Sequence, residues 1–175
     1  LGASAATHPD ELVFDLLGNG FTQVCYDGQY FFDSDHRDGD GPIQSNRSNK
    51  QLAAAAYAEA RAAMMSLTDE HGNPLGLMPG LLAVPPQLEA AGRAILEAER
   101  DANGATNIWR NSAQLMVVPW LAKWPTRWFL MDASKPIKPV IFQQRKAVQF
   151  TAMDNPEDEG VFMRKEFRYG VDCRD

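Results

Sequence analysis

Apolar stripes at helical spacing mark parts of the first half of this chain, and short β-branched or aromatic runs fill the remainder, so helices are expected early and strands mostly late. Thr7-His8-Pro9-Asp10-Glu11 reads as a helix start, with Thr7 as N-cap, Pro9 in the first turn and two acids favoured by the helix dipole. Leu12, Val13, Leu16 and Leu17 form the apolar stripe that follows, and Gly18-Asn19-Gly20 ends it. Gln23 to Phe32 has strand character around a turn at Tyr26-Asp27-Gly28-Gln29, where Asp-Gly supplies left-handed backbone geometry. Asp33 to Asn49 is a polar loop rich in Gly, Ser, Asn and Asp.

The strongest helical signal is QLAAAAYAEARAAMMSL, Gln51 to Leu67, with Leu52, Tyr57, Met64 and Leu67 as its large apolar members. DEHGNPLG closes it, with Gly72 expected as the C-cap and Pro74 preventing continuation. Leu81 to Val84 fits a short buried strand. Pro85-Pro86 leads into a second helix, Gln87 to Glu99, with Leu88, Ala91, Ile95 and Leu96 on one side. Gln114–Val118, Arg127–Met131, Pro139–Phe142, Ala147–Thr151 and Val161–Tyr169 are short β-branched or aromatic runs between turn residues and read as strands. No internal repeat is apparent. Helices and strands do not alternate regularly, which favours an α+β fold over a doubly wound sheet.

Composition narrows the class. The chain has 175 residues, 45% of them hydrophobic and 10% aromatic, enough for one globular domain or a domain with a small annex. A net charge of -6 and a pI near 5.1 leave few partners for phosphates and argue against tight or sequence-specific binding to duplex nucleic acid. Cys25 and Cys173 stand far apart in sequence and match no zinc pattern, so two free thiols in a reducing setting are expected. No apolar run approaches the roughly 18 residues of a membrane span, and a soluble protein is expected. The chain opens without Met and stops at VDCRD, which reads as a piece of a longer polypeptide.

Two stretches raise the question of chemistry. FFDSDHRDGDG, residues 31 to 41, gathers Asp33, Asp35, Asp38, Asp40 and His36. A calcium loop of EF-hand type starting at Asp33 needs Gly at its sixth position and Glu at its twelfth, where this chain has Asp38 and Gln44. No P-loop, GxGxxG, HExxH or GxSxG accompanies it. A solvated turn is therefore preferred to a metal or acid–base centre, with no cofactor and no catalysis expected. A small α+β metal-dependent hydrolase using the loop at Asp33–Asp40 is the alternative.

The second stretch interleaves Lys123, Arg127, Lys135, Lys138, Arg145 and Lys146 with Trp120, Trp124, Trp128 and Phe142. It suits either a nucleic-acid groove with stacking rings or aromatics buried against a neighbouring subunit, where Trp and Arg are enriched. The acidic total favours the second. Pro119 and Pro125 break any continuous helix, which puts Trp120, Trp124 and Trp128 on a strand end and a loop, as a candidate subunit interface.

Whole stretches carry a resemblance. DELVFDLLGNGF, CYDGQYFFDSDH, LMPGLLAVPPQLEAAGRAIL, WFLMDASKPIKPVIFQQRKAVQF and VFMRKEFRYGVDCR resemble, in order and spacing, the major head subunit of Mu-like phages and prophages. The resemblance implies the tailed-phage capsid fold of Hong Kong 97 type, in a fragment lacking the N-terminal arm, the extended loop and most of the spine helix. It implies that residues 1–24 hold the end of the spine helix and the start of the peripheral domain. Residues 25–134 would hold the axial domain, and residues 135–175 strands returning towards the peripheral one. The implied protein is structural, not enzymatic. It would self-assemble into hexamers and pentamers of an icosahedral head, in the virion and not in a membrane. Its implied partners are further copies of itself, scaffold or protease, portal and decoration proteins, and packaged double-stranded DNA held without sequence preference.

Overall fold

The structure, a computed structural model, describes residues 2–25, 27–37, 39–157 and 159–174. Its elements run α1 (Gly2–Asn19), α2 (Ala54–Met65), β1 (Leu81–Val84), α3 (Glu89–Leu96), β2 (Gln114–Val117), β3 (Phe129–Met131), β4 (Lys146–Met153), α4 (Glu159–Arg164) and β5 (Arg168–Arg174). Short 3-10 turns at Pro86–Leu88 and Pro119–Lys123 precede α3 and β3. No helix among the described residues is long and apolar enough to cross a membrane. The chain divides into two units, Leu1–Val13 with Val140–Asp175, and Phe14–Pro139.

In the larger unit, β1 is the middle strand of a three-stranded mixed sheet ordered β2-β1-β3, parallel to β2 and antiparallel to β3. Leu82, Ala83 and Val84 of β1 are fully buried, as expected of a central strand covered on both faces. The parallel β1–β2 pair requires a crossover, and α3 lies within it. Gly92 lets this helix approach closely, because a Cβ there would stand 2.6 Å from Leu115 Cδ1 on β2. Leu52, Tyr57, Leu82, Val84, Ile95 and Leu96 form the core.

Two polar groups are buried with complete partners, which the cost of an orphaned buried group demands. Ser112 Oγ donates to Trp109 O at 2.6 Å, so the fully buried Tyr57 hydroxyl, 2.8 Å away, donates to Ser112 Oγ. Asn107 Nδ2 donates to Ile95 O and Ala98 O at 2.9 and 3.0 Å, covering carbonyls that the end of α3 leaves unpaired.

Among the described residues, the same hairpin hydrogen-bond pattern closes loops between residues 25 and 29, 69 and 73, and 101 and 105. In each, the first residue's N–H donates to the fifth residue's carbonyl, and the fourth residue, a glycine, donates back to the first residue's carbonyl. Gly28, Gly72 and Gly104 take φ of 85, 81 and 82°, the left-handed region open to glycine. In the later two loops the first residue is Asp. Asp69 Oδ1 accepts from His71 N and Asn73 N, and Asp101 Oδ1 accepts from Asn103 N and Ala105 N, all at 2.8–2.9 Å. Cys25 occupies that position in the first loop, where Asp27 Oδ1 accepts from Gln29 N instead. The repetition lies in backbone geometry with little residue identity, so reading residues for repeats does not find it.

In the smaller unit, β4 and β5 form an antiparallel ribbon, with Phe150 opposite Val171 and Ala152 opposite Tyr169. Phe150 stacks on Tyr169 at 5.8 Å, and Lys146 pairs with Asp172.

Several expectations are corrected. Helix α1 begins at Gly2, not Thr7, and carries Pro9 inside it, because the small residues ahead of Thr7 continue the helical run. Helix α2 ends at Met65 with Ser66 as its cap, which leaves Gly72 as a turn residue in the second hairpin loop. Among the described residues of 23–32 there is a bridge, Val24 to Tyr30, rather than paired strands. Gln87 and Leu88 sit in the 3-10 turn, and α3 stops at Leu96. Residues 139–142 form no strand, and 161–164 belong to α4, where Phe162 and Met163 are exposed. Strand β5 begins only at Arg168, after Lys165 turns through φ 57°. Tyr26, Asp38 and the thiol of Cys173 lie outside the described residues. Cys25 is a half-buried free thiol.

Candidate subunit interface

The tryptophan-rich segment is built onto the end of α1. Pro119 starts a 3-10 turn that carries Trp120, so this ring sits on a helical turn rather than a strand end. Trp120 stacks on Phe14 at 6.2 Å between ring centres, with 19° between planes. Lys123 Nζ reaches Asp15 at 2.9 and 3.2 Å. Trp124 ends the turn and fills the space beside Gly18 that any Cβ would occupy. Glycine at that point lets the indole lie on the helix backbone.

Arg127 completes the cluster. It donates to the Gly18 carbonyl, and a cation near the last carbonyls of a helix is favoured by the helix dipole. Its guanidinium also lies 4.7 Å from the Phe21 ring centre and 5.8 Å from that of Trp124, within cation–π range. Phe21, Phe32 and Phe129 continue the cluster at 4.9–6.4 Å. Trp128 leads into β3, donates Nε1–H to Lys50 O at 3.1 Å and packs against the core. Trp120, Trp124 and Trp128 are thus all half-buried, with partners inside their own unit.

The basic residues read together from the sequence fall in two different units. Lys123 and Arg127 serve the α1 end, and Lys138 donates to Ala133 O at 2.7 Å. Arg145, Lys146 and Phe142 belong to the other unit. Sequence reasoning missed Phe14, Asp15, Gly18 and Phe21, the partners more than ninety positions away from the tryptophan segment; nothing in local pattern signals them.

The acidic loop is spent on loop architecture. His36 Nδ1 and Asp27 Oδ2 stand 2.6 Å apart, and this hydrogen bond is the chief cause holding the Asp27 carboxyl below its usual range. Asp33 accepts from Ser34 N at 2.8 Å and faces Arg47 at 3.6 Å. Gln44 bridges His36 and clasps Thr68 through two side-chain amide hydrogen bonds of 2.8 Å. Asp35 and Asp40 are exposed. Among the described residues, no three His, Cys, Asp or Glu side chains gather where they could hold a metal ion.

Beside Asp132, the loop ahead of β1 meets the end of β3. Its carboxylate accepts from Met78 N at 2.9 Å and from Ser134 N and Oγ at 2.7 and 2.6 Å. These donors, Met78 first, lower its pKa to about 2.

The fold has counterparts in solved phage shells. A structure of the bacteriophage JBD30 capsid matches with a TM-score of 0.59 at 24% identity, over 69% of this chain and 65% of that one. The JBD30 procapsid matches with a TM-score of 0.56, also at 24% identity and over 69% of this chain and 66% of that one. The fold is therefore that of a phage major capsid protein, of mixed α and β content. The family described as Mu-like prophage major head subunit gpT matches residues 1–51, 43–121 and 123–175. This chain belongs to that family. Among curated relatives, the Mu-like prophage FluMu major head subunit of Haemophilus influenzae is 31% identical over 177 residues. The major capsid protein of Escherichia phage Mu is 28% identical over 174. Each alignment takes in 99% of this chain but only 36% of the relative's length.

Proposed function

We propose that the protein carrying this sequence is the repeating subunit of a phage head, assembling with itself into hexamers and pentamers of an icosahedral shell around packaged double-stranded DNA. The observation that carries this is the family match along nearly the whole chain, joined to a fold shared with the JBD30 capsid. In this reading the larger unit holds the axial domain, assigned to residues 25–134. Residues 1–24 and 135–175 are assigned to the spine-helix end and to strands of the peripheral domain. Trp120, Trp124 and Trp128 offer their exposed edges to a neighbouring subunit, in the repeated head-to-tail contact a ring requires. Scaffold or protease, portal and decoration proteins are the further partners; one JBD30 capsid structure is described as decorated with minor capsid protein trimers, which supports the last.

The protein does no chemistry of its own in this reading. Support comes from the acidic side chains' existing bonds: Asp27 pairs with His36 and accepts from Gln29 N, and Asp33 accepts from Ser34 N and faces Arg47. DNA is enclosed without sequence-specific contact, consistent with the net charge of -6. The test is expression of the complete polypeptide followed by negative-stain electron microscopy. Closed shells or rings support the proposal, and a monodisperse monomer under all assembly conditions overturns it.

A further inference from the structure

We draw no further inference here: the strongest candidate, the apolar face of the β4–β5 ribbon with the exposed side chains of Val148, Phe150 and Tyr169, carries nothing because nothing in the structure shows what covers it.

Discussion

Replacing Trp120, Trp124 and Trp128 by Ala, one at a time, separates the packing of these rings within their own unit from their proposed contact with a neighbouring subunit. Trp128 packs against the core and donates a hydrogen bond to Lys50 O. Full burial would make its truncation cost roughly 3–5 kcal/mol; half-burial, with an exposed hydrogen bond, reduces this to about 2–3 kcal/mol. For a chain of this size, that corresponds to a fall in Tm of roughly 4–12 °C. Trp124 lies on Gly18 beneath Arg127, and its loss opens the clamp at the end of α1, so a fall of similar size is expected. Trp120 rests on the Phe14 ring, and among the described residues its indole makes no hydrogen bond. W120A should therefore shift Tm by less than a third as much as W128A, while assembly, if Trp120 is the proposed anchor, fails or slows sharply. Thermal melting of the unassembled subunit and light scattering during assembly supply the two readouts. If W120A melts like the parent and also assembles like the parent, the interface assignment is refuted. If W128A leaves Tm unchanged, the packing account is wrong.

Three further outcomes are expected. The Asp132 carboxylate has a pKa of about 2 against an ordinary 3.8, so its stabilising contribution is complete above about pH 4 and disappears as pH falls towards 2. D132N should accordingly be less stable than the parent near neutrality, with a gap that closes on acidification in parallel denaturant titrations; a gap independent of pH contradicts the assignment. Cys25→Asn places an amide oxygen where Asp69 and Asp101 sit in the two sister loops, and should raise stability by about 0.5–1.5 kcal/mol in urea melts; unchanged or lowered stability shows that the Asp27 contact already satisfies this loop. The combined variant D33N/D35N/H36A should change loop stability without abolishing any hydrolytic activity or stoichiometric metal content, and elemental analysis finding zinc or calcium in the parent but not in the variant refutes the structural reading of the loop.

Much of the sheet region was legible because its signals are local. Leu81–Val84 is a continuous apolar run whose ends coincide with the observed strand, and Gln114–Val117 and Phe129–Met131 fall within the expected runs. Pro85-Pro86 marked the entry to the following helical stretch. Errors arose where local propensity was overruled. Val161 to Arg164 reads as a β-branched and aromatic start, yet it makes a helical turn, because Lys165 takes a left-handed conformation and ends it. The exposed Asp35 and Asp40 fit the solvated turn expected from the failed ligand spacing, whereas Asp33 and His36 are half-buried. The loop's actual bonds were not readable, since His36 pairs with Asp27 nine positions back and Gln44 reaches Thr68 twenty-four positions ahead. The candidate interface was visible only as a cluster of rings. Which parts of those rings are already occupied depends on Phe14, Gly18 and Phe21, placed beside them by the tertiary fold.

The most direct test is cryo-electron microscopy of heads assembled from the complete polypeptide. The account predicts that density fitting residues 14–139 repeats in rings of five and six around the shell's axes, with the edge of Trp120 against a neighbouring copy. A shell in which this sequence is absent from those rings, or present only as a minor attached component, contradicts it.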